Sequence, residues 1–209
     1  MKRLFITLLI FVFATGIKAQ TIESIFTSMP DQIIPQLETE WRKDLIDVYK
    51  SGKEARLKNT MNGFSTLEKL TADYVKVKVT DRSYIEMKLL PLVNNTKVIC
   101  VISTFYGPAP DSNVSFYSSD WKLLNSKDIF TPVSAEWFIK DDVDKNSIKF
   151  MEASSNLDIN LFFYALSPDD QTLTETYSTP AYLSKEVRDK VMPYLKGSKV
   201  YTWKQSHFE

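Results

Sequence analysis

The chain has 209 residues, with 26 lysines and arginines against 26 aspartates and glutamates, and a single histidine and a single cysteine. That inventory excludes an internal disulfide and the common zinc sites, which draw on several His or Cys ligands. Its five glycines form no G-x-G-x-x-G or Walker pattern, so no nucleotide-cradling loop and no cofactor are expected.

Lys2 and Arg3 precede an uncharged, mostly apolar run from Leu4 to Ala14, and Ile17-Lys18-Ala19 places a small residue before a cleavage point. This is the pattern of a secretory signal peptide. The run is too short for a bilayer span, which takes about 20 apolar residues. The expected organisation is a signal peptide over 1–19 and one domain over 20–209. That domain is expected to be exported to the periplasm or cell surface and not to span the membrane after cleavage. Loss of Lys2, Arg3 and Lys18 leaves 23 basic residues against 26 acidic ones. No dense Lys/Arg stripe follows residue 20, so nucleic acid is not an expected partner.

Ser28-Met29-Pro30-Asp31 offers a helix start, and Ile33, Ile34 and Leu37, then Trp41, Leu45, Ile46, Val48 and Tyr49, recur at helical spacing. Pro35 interrupts the series and Ser51-Gly52 stops it, which predicts one kinked helix or two short ones. From Tyr74 to Thr80, valines alternate with lysines and threonine at the strand period, so one face of that strand should be buried. Two further strands, Tyr84 to Leu92 and Lys97 to Tyr106, flank a turn at Asn94-Asn95. A rigid Gly107 to Ser112 loop is then expected before a strand over Asn113 to Ser118 and another over Trp121 to Leu124.

Beyond the polar turn at Asp141 to Asn146, the strand reading continues with Ile148 to Ala153. It extends to a hairpin of Leu157 to Leu166 with Thr172 to Tyr177. Ser184 caps a short helix through Val191, and a last strand runs from Lys199 to Lys204. Strands bracketed by helices without βαβ alternation predict an α+β fold. Its elements are an antiparallel β-meander sheet, N-terminal helices and a short helix near the C-terminus.

Candidate chemistry is sparse. A Ser-His-Asp arrangement would depend on His207, the third residue from the end and expected to be solvated. Asp142 to Asn146 begins like a calcium loop, but Ser147 stands where glycine is needed and Ala153 where a bidentate glutamate belongs, so no metal site is expected. Cys100 lies within Val98-Ile99-Cys100-Val101-Ile102 and is expected to be a buried, inert thiol. No acidic residue sits in a distinctive motif, and no catalytic residue is assigned. The candidate binding residues are Tyr106, Tyr117 and Trp121, aromatics flanking the Gly107 to Asp111 loop, where a sugar or peptide could stack.

Met29-Pro30-Asp31, Leu70-Thr71-Ala72-Asp73-Tyr74, Met87-Lys88-Leu89-Leu90-Pro91 and Gly107-Pro108-Ala109-Pro110-Asp111-Ser112 are followed by Phe116-Tyr117, Asp120-Trp121 and Thr179-Pro180-Ala181-Tyr182-Leu183-Ser184. Together they resemble domain-of-unknown-function family 3256. The resemblance implies a secreted protein of Bacteroidales-type bacteria, with no activity or catalytic residues to carry over.

The resulting expectation is an exported, non-catalytic envelope protein that recognises a protein or glycan. The alternative is a carboxylate-dependent envelope hydrolase acting on glycans or peptidoglycan, which needs two close acids in one cleft. A third reading is an inhibitor or chaperone-like partner of another envelope protein.

Overall fold

A computed structural model describes residues 20–209; the expected signal peptide, residues 1–19, lies outside them. Helix α1 (Ile22–Ser28) starts earlier than the proline signal suggested, because Thr21 and Ser24 cap each other's backbone N–H groups. Ser28 is therefore a helix end, and Pro30 follows it. The stretch from Asp31 to Glu38 turns instead of continuing as helix, although Ile34 and Leu37 are still buried. Helix α2 (Thr39–Lys50) then runs to the expected stop, where Gly52 adopts φ +75°.

Six strands follow as an antiparallel meander in chain order: β1 (Arg56–Lys58), β2 (Phe64–Leu70), β3 (Tyr74–Thr80), β4 (Ser83–Pro91), β5 (Lys97–Tyr106) and β6 (Pro110–Ser118). The Asn94-Asn95 turn forms with Asn95 at φ +62°. Strand β6 begins at Pro110, so the expected rigid loop shrinks to three residues. Leu123 makes only a single bridge to Tyr117 where a further strand was expected. The remaining elements are α3 (Ile148–Ser154), β7 (Phe162–Leu166), β8 (Thr172–Tyr177), α4 (Thr179–Tyr182), α5 (Lys185–Val191) and β9 (Lys199–Thr202), with β7, β8 and β9 forming a second antiparallel sheet. The whole is α+β.

Residues 148–153 are helical, correcting the strand expectation. Ser147 accepts from the Phe150 N–H, and Phe150 and Ala153, three apart, form the buried stripe while Ile148 and Met151 face solvent. Of the strand expected over 157–166, only Phe162–Leu166 is extended in a ladder. Among the described residues no helix is long and apolar enough to cross a membrane.

The two faces of the large sheet bury different partners. Val75, Val77, Val79, Ile85, Met87, Leu89, Ile99 and Val101 pack beneath α1 and α2. Tyr74, Leu90, Val98, Cys100, Ile102 and Phe116 pack against the second sheet and the C-terminal Trp203 and Phe208. A smaller core of Phe138, Ala153, Tyr177, Val191 and Leu195 lies outside that sheet. Three side-chain oxygens of the large sheet satisfy the outward N–H groups of β7. Asp111 accepts from Phe162, Ser112 from Tyr164 and Glu86 from Leu166. The second sheet is thereby seated over β4, β5 and β6.

Candidate functional site

That seating leaves the same face of β1 and β2, and of β3 beyond the buried Tyr74, uncovered. Register places Arg56 opposite Thr66, Thr66 opposite Lys78, Lys78 opposite Tyr84 and Tyr84 opposite Thr104. Directly opposed residues in an antiparallel sheet point to one face, so this row crosses five strands on a single surface. The flanking rows add Lys58 opposite Phe64, and Lys69 opposite Lys76 opposite Glu86. A bulge in β2 inserts Glu68 beside them.

The geometry on this face couples cations to rings. The Arg56 guanidinium stands 3.7 Å from the centroid of Phe64, which is 46% exposed. Lys76 lies 5.6 Å above the Tyr84 ring and 3.4 Å from Glu86 Oε1, while Lys78 pairs with Asp81 at 3.1 Å. Tyr84 meets Tyr106 edge-on at 5.2 Å, and Tyr106 meets Phe163 at 6.2 Å, so an aromatic line extends from the large sheet to the edge of the second. Arg56, Lys58 and Lys69 make no ion pair with any described residue. Five strand cations thus face three carboxylates, Glu68, Asp81 and Glu86, a local excess of basic groups in a chain with 26 of each sign.

Of the sequence candidates, Tyr106 belongs to this face and is 36% exposed. Tyr117 and Trp121 do not. They pair with each other at 5.3 Å and pack against the core under α1, where Trp121 donates to Ser28 Oγ. They therefore lie on the opposite face of the sheet, and the structure does not bring the three aromatics together.

Elsewhere, buried polar groups are structural. Glu175, fully buried, accepts from the Tyr164 hydroxyl at 3.0 Å, the Tyr201 hydroxyl at 2.6 Å and the Val133 N–H at 3.2 Å. Burial and this carboxylate push both phenols well above their ordinary range. Lys88, 1% exposed, donates to the Ser167 carbonyl and lies 3.3 Å from Asp73. The His207 ring meets Ser206 Oγ at 2.9 Å and Glu209 at 3.8 Å on the exposed terminal hairpin. Asp144 caps the turn before α3 through the Asn146 N–H. No group of three or more His, Cys, Asp or Glu residues among the described ones is placed to hold a metal ion.

Two clefts border the β5–β6 hairpin. One, of about 540 Å³, lies between residues 33–36 and the strand ends, with Val79, Ile85, Phe105 and Asn113 in its walls. The other, of about 380 Å³ and more apolar, is bounded by Pro110, Phe163, Tyr177, Arg188 and Met192.

The comparisons with known proteins bear on the fold. A domain of an uncharacterized protein from Porphyromonas gingivalis W83 superposes with a TM-score of 0.80 at 24% identity, covering 90% of this chain and 98% of that one. No curated protein matches the chain significantly. The family described as protein of unknown function (DUF3256) matches residues 14–208, and the chain belongs to that family.

Proposed function

We propose that the protein is an exported, non-catalytic recognition module that binds a protein or glycan of the cell envelope through the uncovered face of β1–β3 and its aromatic extension. The observation that carries this reading is the incomplete cover of the large sheet. A sheet face left open with Phe64 and Tyr106 exposed, and with cations stacked on its rings, supports recognition of a ligand there. The basic, apolar and small-residue pattern of residues 1–19 supports export.

The test pairs binding with turnover. Purified protein is incubated with labelled envelope glycans, peptidoglycan fragments and envelope proteins, alongside Tyr84→Ala and Tyr106→Ala variants with unchanged melting temperatures. Saturable binding that the variants weaken, without release of products, is the expected result. Release of reducing ends or peptide fragments overturns the reading, as does binding that both variants leave intact. Export is checked by fractionating cells and finding a mature chain that begins near residue 20.

A further inference from the structure

We infer that the ligand of the uncovered face is an acidic glycan, a polymer bearing carboxylate or sulfate groups on its sugar rings. This inference rests on the recognition reading and narrows its ligand class. Strands lie about 4.8 Å apart, which puts Arg56 and Lys78 roughly 10 Å from each other across the face, about one Debye length in 0.1 M salt. Lys76 and Lys78 are paired with Glu86 and Asp81, so the net positive field over the open surface comes chiefly from Arg56, Lys58 and Lys69, and a repeating anion meets several cations at once.

Charge alone would suit any polyanion, and the rest of the face distinguishes among them. The Tyr84–Tyr106 pair, at 5.2 Å, sits beside the cations, and Phe64 adds a second ring at the opposite side. Flat rings next to charges match a sugar, whose C–H face is apolar and whose substituents are polar. Glu68 on the bulge and the hydroxyls of Thr66 and Tyr84 place acceptors among the donors. A glycan offers hydroxyl donors to those acceptors as well as anions to the cations. A DNA backbone offers acceptors alone and has no donor to give Glu68.

The experiment is titration calorimetry with polygalacturonate, hyaluronate and chondroitin sulfate, set against neutral dextran, an oligothymidylate and an acidic peptide. Saturable binding to the acidic glycans is expected, weakening as salt rises because bound counterions are released. The Arg56→Gln/Lys78→Gln double variant should raise Kd about fivefold to tenfold, since each exposed ion pair contributes modestly. Both side chains lie at the surface, so its melting temperature should match the parent's. Tighter binding of oligothymidylate or the acidic peptide overturns the inference, as does acidic-glycan binding that the double variant leaves unchanged. Binding of dextran or an envelope protein that Tyr84→Ala abolishes overturns the acidic assignment and leaves the recognition reading standing. Absence of binding to every acidic glycan overturns the inference outright.

Discussion

Glu86 Oε2 accepts the backbone N–H of Leu166 at 2.9 Å, joining the middle of the large sheet to the edge of the small one across 80 residues of chain. The carboxylate is 4% exposed, and its other oxygen lies 3.4 Å from Lys76. One buried residue thus holds the second sheet in place and pairs with Lys76 at the border of the open face. Glu86→Ala leaves the Leu166 N–H without an acceptor in a dry interface, and a loss of about 2–4 kcal/mol in urea unfolding is expected. Glu86→Gln keeps an oxygen for Leu166 and should lose less. Hydrogen exchange should accelerate at Leu166 before it does at ladder amides such as Thr174; equal acceleration across β7 and β8 would show that the bond does not act locally.

Arg42 plays the corresponding part on the helical side. Its side chain is fully buried, with Nη1 donating to the Leu37 carbonyl and Nη2 to the carbonyls of Met29 and Thr27, and Asp31 3.0 Å away. The α1–α2 connection is irregular, so its carbonyls have no helical partners, and the guanidinium fork supplies them. Burial lowers the Arg42 pKa, opposed by Asp31. Arg42→Met should lower stability by about 3 kcal/mol or more because the carbonyls stay buried without donors. Arg42→Lys should recover less than half of that, since one ammonium cannot span both sides of the fork. Urea midpoints of the three proteins decide it.

Strands β3, β4 and β5 could be read because Val75, Val77 and Val79 alternate and because Lys97 to Tyr106 is an unbroken β-rich run. Strands β1 and β2 could not: Arg56–Lys58 and Phe64–Leu70 are short or charged, and they extend only because β3 offers them an edge. Residues 148–153 were read as a strand because Ile148, Phe150, Met151 and Ala153 in so short a stretch fit either period until Ser147 is known to cap it. The cation row escaped detection for a similar reason. Arg56, Lys58, Lys69, Lys76 and Lys78 come from three strands, each read singly as a solvated charge, and pairing alone assembles them. Tyr106 was singled out, but its partners Tyr84 and Phe163 are distant in the chain, whereas Tyr117 and Trp121 are near it in sequence and lie on the other face.

A pH effect is expected at the tight turn after β6. The Asp120 carboxyl is held down to about 2, chiefly by Lys122 at 2.8 Å and by the Ser118 hydroxyl, while Trp121 occupies the left-handed region at φ +63°. A folded pKa below the ordinary value of 3.8 means that the stabilisation is present above that value. It is lost as pH falls through about 2. A carbon-detected NMR titration should place the Asp120 midpoint well below 3.8. Ser118→Ala should move it upward, and an unmoved midpoint would assign the whole effect to Lys122.

Cys100 provides a reporter of how the two sheets part. It is fully buried at the centre of β5, opposite Lys88 on one side and Phe116 on the other, and burial together with the nearby Glu86 pushes its thiol upward in pKa. Both factors disfavour the thiolate that reacts with disulfide reagents. In native conditions labelling should therefore wait for the second sheet to lift or for the domain to unfold. Denaturant separates these routes, because global unfolding exposes far more surface and its labelling rate rises steeply with urea. Glu86→Ala weakens the seam directly over this residue, so its Cys100 should label faster than the parent's with little dependence on urea. Arg42→Met acts beneath the opposite face and should accelerate labelling only in proportion to its loss of global stability. Equal urea dependence in both variants would show that the sheets separate only when the whole domain unfolds.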